Sequence, residues 1–171
     1  MDLGLSVKWA PFNVGCKGVL PNNVGGYYNW GDASGKNIDG EANPYDLPIQ
    51  MKSIAGSSLD IAAMNWGRGW RMPTSEEFQE LIDKCSWKMV NKRGDRVTGP
   101  SGKSIFLPFA GYRRGPAFFK QGVVGCYWSA SPYTEPRQSA AYFLEMDGDV
   151  VSVSRGDFAS TGYSVRPVLD K

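Results

Sequence analysis

Thiols and carboxylates are left to carry any metal, redox or general-base chemistry in this chain, because its 171 residues include no histidine. That absence removes the commonest general base, the usual zinc ligand and every Ser-His or Cys-His dyad. The three cysteines, Cys16, Cys85 and Cys126, are odd in number and far apart, with no Cys-x-x-Cys spacing. At most one intramolecular disulfide could form from them. Cys85 falls on an apolar helical face, where a thiol reads as a small buried hydrophobe. Asp147-Gly148-Asp149 offers two carboxylates, but the spacing is that of a hairpin turn. Asp39, Glu41 and Asp46, in an early polar loop, are the candidate ligands for a structural calcium ion, the sole cofactor the sequence raises. No catalytic residue is assigned, and the expectation is a protein that is not an enzyme.

Recognition chemistry is concentrated later, in residues 127–162. In the run 142–146, Leu144 and Met146 share a strand parity with Tyr142, so Phe143 and Glu145 point the other way. In 149–155 the parity of Val151 and Val153 points inward and leaves Ser152 and Ser154 outward. Loop residues Tyr133, Glu135, Arg137, Gln138, Arg155, Asp157 and Phe158 add aromatic anchors and charges, the side chains favoured on binding surfaces. These eleven positions are the expected ligand-binding residues. The competing reading is an ordinary solvated sheet edge with its loops.

The elements that must position them are short strands, many turns and little helix, given 21 glycines, 11 prolines and 13% aromatics. The strongest local signal is Trp66-Gly67-Arg68-Gly69-Trp70-Arg71-Met72-Pro73-Thr74-Ser75-Glu76-Glu77-Phe78. Thr74 and Glu77 stand in the capping-box relation, and Pro73 holds the entry extended. Phe78, Leu81, Ile82 and Cys85 follow as one helical face, predicting a helix over about 75–85. A shorter helix is expected over 57–65, capped by Ser57. Trp66 and Trp70 read as core, as do Tyr27, Tyr28 and Trp30, while Arg71 and Arg166 read as structural hydrogen-bond donors.

Strands are expected at 3–10, 27–30, 87–90, 96–98, 103–108 (continuing through 110–113), 126–131 (stopped by Pro132), 142–146, 150–154 and 163–168. Lys92-Arg93-Gly94-Asp95 and Asp147-Gly148-Asp149 supply hairpin turns. Residues 33–50 form a loop without core periodicity. The length suits one domain over 1–171, enough to bury roughly 70% of the unfolded surface.

The charge balance of +2, with pI near 8.4 and no Lys/Arg run, argues against a nucleic-acid partner. No apolar run approaches the roughly 20 residues of a membrane span. Met1-Asp2-Leu3-Gly4 lacks the basic start and apolar run of a signal peptide, leaving a cytoplasmic chain or one that follows a removed leader.

Five ordered blocks resemble a known family. They are Asp2-Leu3-Gly4-Leu5-Ser6-Val7-Lys8-Trp9-Ala10, the block from Asp60 through Trp66-Gly67 and Trp70-Arg71-Met72-Pro73-Thr74 to Glu77-Phe78, Ile105-Phe106-Leu107-Pro108 with Ala110-Gly111-Tyr112-Arg113, Tyr127-Trp128-Ser129, and Ser164-Val165-Arg166-Pro167-Val168. Together they resemble the Fibrobacter succinogenes major paralogous domain of Bacteroidetes and Fibrobacteres surface proteins. That resemblance implies an α+β, C-type-lectin-like fold: two helices, a small twisted antiparallel sheet, long loops and terminal strands side by side. The same fold is shared by formylglycine-generating enzymes and the variable target proteins of diversity-generating retroelements.

The resemblance implies a non-enzymatic binding domain of adhesion or receptor type, with a retroelement-diversified variable protein as its specific form. Its partner would be a protein or glycan at a cell surface, with no nucleic acid and no membrane insertion by the domain itself. The expected location is extracellular or cell-surface, or alternatively a phage virion. A structural fibre or lipoprotein module without a dedicated ligand is the second reading. A degenerate formylglycine-type oxidase is the third. That chemistry needs two neighbouring cysteines near the C-terminus, whereas Cys126 has no cysteine downstream. The calcium-binding Glu-Pro-Asn motif of lectins is approached only by Glu135-Pro136-Arg137, where arginine replaces an oxygen ligand.

Overall fold

Eight consecutive buried residues, 124–131, identify the strand around which the chain is built. A computed structural model describes residues 1–17, 23–36, 52–67, 69–133 and 140–171, except for the side chain of Asp157. The described elements are, in order, β1 (Lys8–Trp9), α1 (Ile61–Trp66), β2 (Trp70–Arg71), α2 (Ser75–Lys84), β3 (Ser86–Met89), β4 (Gly94–Thr98), β5 (Ser104–Pro108), β6 (Tyr112–Arg114), β7 (Ala117–Phe119), β8 (Val124–Tyr133), β9 (Ala140–Asp147), β10 (Val150–Phe158) and β11 (Val168–Leu169). The strands form four small antiparallel sheets, ordered β1-β11-β2, β10-β9-β8, β3-β4-β5 and β6-β7.

This architecture overturns the expectation of an α+β C-type-lectin-like domain with one small sheet. Only two short helices, of 6 and 10 residues, are present among the described residues, and the fold is mostly β. The helices stay short because Gly67 ends the first with a φ of 57° and Cys85 turns extended after the second. Glycine and proline punctuation then divides the extended remainder into separate hairpins, so no single ladder collects all the strands.

The β8–β9–β10 sheet is covered on both faces. Tyr127, Leu144 and Met146 are fully buried against Trp9, Phe78, Leu81 and Leu107, with Val151 and Val153 packed alongside. Trp128, Cys126 and Phe143 face the opposite core, built with Trp30, Ile54, Ile61, Met72 and Tyr163. Two-sided burial explains the continuous apolar run of β8, since neither parity meets water. The strand also continues through Pro132, which had been expected to stop it. A register shift between Trp128 and Pro132 admits the missing N–H, and Pro132 pairs with Ala141.

Local signals resolve with shifts. The capping box of α2 forms as expected: Glu77 N donates to Thr74 Oγ1 at 3.3 Å and Thr74 N to Glu77 Oε2 at 2.8 Å. Helix α1 is capped three residues after the expected Ser57, because Asp60 is the better cap. Its Oδ1 accepts from Ala62 N and Ala63 N, and its Oδ2 from Gly56 N and Met72 N. The run 3–10 alternates in burial, with Leu3, Leu5, Val7 and Trp9 inside, yet only Lys8–Trp9 pairs as a strand, against Val168 and Leu169. Of 27–30, only Tyr28 bridges, to Tyr163. The expected continuation from Pro108 into Tyr112 is broken at Gly111, whose φ is 68°, and β7 is an additional strand.

Trp66 and Trp70 are half-buried rather than core. The glycine turn between them carries both rings to the edge, where they meet edge-to-face at 5.0 Å and Trp66 meets Phe12 at 5.3 Å. Arg71 ties this corner together by donating to both carboxylate oxygens of Glu77 and to Asp170. Arg166 is buried and donates to Asn13 Oδ1, Ala10 O and Phe106 O at 2.7, 3.1 and 2.8 Å. Burial pushes its guanidinium down to about 10.

Two stability predictions follow from this packing. Trp128→Ala should cost roughly 3–5 kcal/mol in chemical denaturation as a large core truncation, and Trp70→Ala clearly less; equal costs would contradict the edge position of Trp70. Asp95, in the central strand of its sheet, is buried, and its carboxyl is raised above the ordinary value by burial and then by the charge of Asp149. A folded value above the unfolded one means that folding takes up a proton in that window, so stability is lost as pH rises through the folded value. Asp95→Asn should therefore raise Tm at neutral pH. The gain should vanish below about pH 4, where the unfolded carboxylate is also protonated. Thermal melts across this range check it.

Candidate ligand-binding cleft

On the face of the β8–β9–β10 sheet opposite Leu144 and Met146, the register sets Ser152 beside Glu145 beside Cys126, and Ser154 beside Phe143 beside Trp128. Phe143 and Trp128 are covered by Tyr163, with ring centroids at 4.9 and 4.4 Å from it. The next row, toward Glu145, opens into a cleft of about 480 Å3. Val124, Cys126, Phe143 and Tyr163 form its floor, and Glu145, Ser154, Arg155 and Gly156 form the sheet wall.

The opposite wall is the β6–β7 hairpin, through Tyr112, Arg114 and Lys120. Strand alternation sends Tyr112 and Arg114 to the cleft and Arg113 inward, where its guanidinium donates to Asn29 Oδ1 and Gly115 O, each at 2.9 Å. Paired backbone bonds between Arg113 and Gly162, both 2.8 Å, fix the hairpin to the body. Gly111 lets the return limb lie close, since a Cβ there would come within 2.2 Å of Phe119 O. On this wall Tyr112 stacks on Phe119 at 5.4 Å, and the Arg114 guanidinium lies 5.2 Å from the Tyr112 ring centre.

Lys120 carries a φ of 50°, uncommon for a residue with a side chain, and its carbonyl accepts from both Val123 N and Val124 N. Ser154 Oγ donates to Glu145 Oε2 at 2.8 Å, and Ser152 Oγ lies 3.3 Å from Ser154 Oγ. The cleft thus sets the cations Arg114, Lys120 and Arg155 around one carboxylate and its hydroxyl partner.

The eleven expected binding residues divide. Phe143, Glu145, Ser154 and Arg155 line the cleft, with Ser152 next to Ser154. Phe143 is only 7% exposed, so it offers an edge of the floor rather than an outward anchor. Tyr133 and Phe158 sit at the other end of the sheet on either side of Ala140, with Phe158 56% exposed. Arg155, Asp157 and Phe158, expected in a loop, belong to β10, and Asp157 pairs with Ala141. Glu135, Arg137 and Gln138 lie outside the described residues, as do Asp39, Glu41 and Asp46.

A bulge separates the two ends of the sheet. The β10 register shifts between Ser154 and Asp157, at Gly156 with φ of 49°. The hairpin wall, by contrast, is absent from the expected binding residues, although its first limb overlaps the strand expected through 110–113. Its signal was the Gly115-Pro116 turn between the runs 112–114 and 117–119, a strong local breaker flanked by aromatics and cations.

None of the three cysteines is in a disulfide, and Cys126 and Cys85 belong to the two opposite cores. Among the described residues no group of three or more His, Cys, Asp or Glu could hold a metal ion. No helix among them is long and apolar enough to cross a membrane. No family model matches the chain, nor does any curated protein or solved structure.

The bulge generates a paired prediction. An added Cβ at Gly156 would meet the Tyr133 ring at 2.7 Å and Ala140 Cβ at 3.2 Å, whereas one at Gly148 meets nothing within 4 Å. Both glycines have positive φ. Gly148→Ala should cost only the backbone strain of about 1–2 kcal/mol, and Gly156→Ala measurably more by denaturant titration. Equal costs would mean that Tyr133 yields freely.

Proposed function

We propose that this chain is a non-enzymatic ligand-binding domain of the adhesion or receptor type, taking its ligand in the cleft between the β6–β7 hairpin and the β8–β9–β10 sheet. The observation that carries this reading is convergence. Side chains from 112–120 and 143–156, unrelated in sequence, meet around one open concavity of ligand size. The lining is suited to holding and orienting a ligand: cations, a carboxylate, a hydroxyl and aromatic edges. The absence of histidine and the separation of Cys85 from Cys126 support a binding role over formylglycine-type oxidation.

The five sequence blocks that resemble the Fibrobacter succinogenes major paralogous domain favour a setting on a cell surface, with a protein or glycan as partner. In this reading the frame is separable from the face. Arg155 and Lys120 are exposed on the cleft walls and hold no core position, so changing them alters binding and leaves folding intact.

Arg155→Glu should abolish retention of ligands captured from cell-surface extracts and glycan arrays while keeping the wild-type Tm. Lys88→Glu, exposed on the separate β3–β4–β5 sheet, should leave retention unchanged. Captured ligands that ignore Arg155→Glu would place binding elsewhere, and a protein that captures nothing would favour a purely structural module.

A further inference from the structure

Resting on that binding role, we infer that the cleft takes an acidic saccharide, a sugar residue bearing a carboxylate or sulfate together with free hydroxyl groups. Three features of the site point to this class.

The first is charge. Among the described lining side chains, Arg114, Lys120 and Arg155 approach the cavity from both walls, against the carboxylate of Glu145. Lys120 and Arg155, both exposed, by themselves outnumber that carboxylate and favour an anion. Arg114 is held over the Tyr112 ring, which limits the orientations its guanidinium can take.

The second is the pairing of those cations with an acceptor. Glu145 Oε2 receives the Ser154 hydroxyl, and no described residue donates to Oε1. A ligand that is only an anion would meet the cations but leave Oε1 of this carboxylate without a donor. A ligand carrying hydroxyl donors beside its anionic group satisfies both ends of the site at once. An acidic peptide brings its donors as backbone N–H groups several bonds away from the side-chain carboxylate, whereas a sugar sets hydroxyl donors beside its anionic group, so the peptide fits the cation side better than the acceptor.

The third is the geometry of the walls. Lys120 is fixed in a left-handed backbone conformation at the mouth, and Gly156 thins the opposite wall. That backbone conformation aims the Lys120 side chain from a pinned hairpin. The aromatic rings of the floor are covered, with Tyr163 at 3% exposure. The site therefore reads charge and hydroxyls at the edge of a sugar rather than stacking on its face.

The experiment is calorimetric titration of the full chain with tetragalacturonate, a sulfated tetrasaccharide, a neutral tetrasaccharide and a tetraglutamate peptide. Binding of either acidic sugar, weakened by added salt and weakened about tenfold or more by Arg155→Glu or Lys120→Asn, is the expected result. Asparagine tolerates the backbone at position 120, and unchanged melting verifies folding. The carboxylated and sulfated probes separate the two sources of the anion. Glu145→Gln should weaken the sugars and strengthen the peptide, a split that a merely structural Glu145 would not produce.

Preference for the neutral sugar or the peptide, lost with Arg155→Glu, would overturn the acidic-saccharide assignment and keep the binding domain. If none of the four probes binds while extract ligands are still lost with Arg155→Glu, the saccharide assignment is again overturned. If nothing binds in either format, both readings fail.

Discussion

Burial of the β8–β9 ladder on both faces is the constraint on which the rest of the structure depends. A strand with a core on each side exposes no polar parity, so every side chain must be apolar, small or internally hydrogen-bonded. The sequence from Val124 to Ser131 meets this condition, with Ser129 Oγ donating to Tyr142 O. The N-terminal arm, α2 and the β3–β4–β5 sheet cover one face, while Trp30, α1 and Tyr163 cover the other. Short helices and two-residue strands suffice elsewhere because they need only close over this ladder.

Irregular chain around a buried ladder leaves backbone groups to be satisfied, and a few polar side chains do so. Asp60 receives four amides from three stretches of chain, joining the start of α1 to Met72. Arg166 gives three hydrogen bonds to Asn13, Ala10 and Phe106, linking the C-terminal strand to the N-terminal arm and to β5. Its acceptors are carbonyl oxygens, so its charge is solvated by dipoles rather than neutralised, and burial correspondingly lowers its proton affinity. These clamps let glycine-rich connections hold fixed positions without long ladders.

The cleft arises where one of the two covers runs out. Tyr163 shields Phe143 and Trp128, but the next row of the sheet carries Glu145 and Ser154, and the β6–β7 hairpin stands away from it. In the proposed binding role, Tyr112, Arg114 and Lys120 would act from the hairpin, and Glu145, Ser154 and Arg155 from backbones fixed by the central ladder. Their side chains contribute little to packing, which separates the face from the frame.

Much of the local order was legible in the sequence. The Thr74–Glu77 capping box, the helix beyond it, the Asp147–Gly148 hairpin and the in–out alternation of 142–154 follow from spacing, because each depends on neighbours a few residues apart. The same spacing raised Glu145, Ser152 and Ser154 as outward residues, along with Phe143, whose side the alternation gave but whose cover by Tyr163 it did not, whereas Arg155 was raised only as a charge in an expected loop. Tertiary structure alone decided that cover, the surface position of Trp66 and Trp70, and the division into four sheets that replaced the expected lectin-like one. It also brought Tyr112, Arg114 and Lys120 to face β10. Periodicity tells which side of an element a residue occupies; what lies on that side is set by contacts distant in sequence.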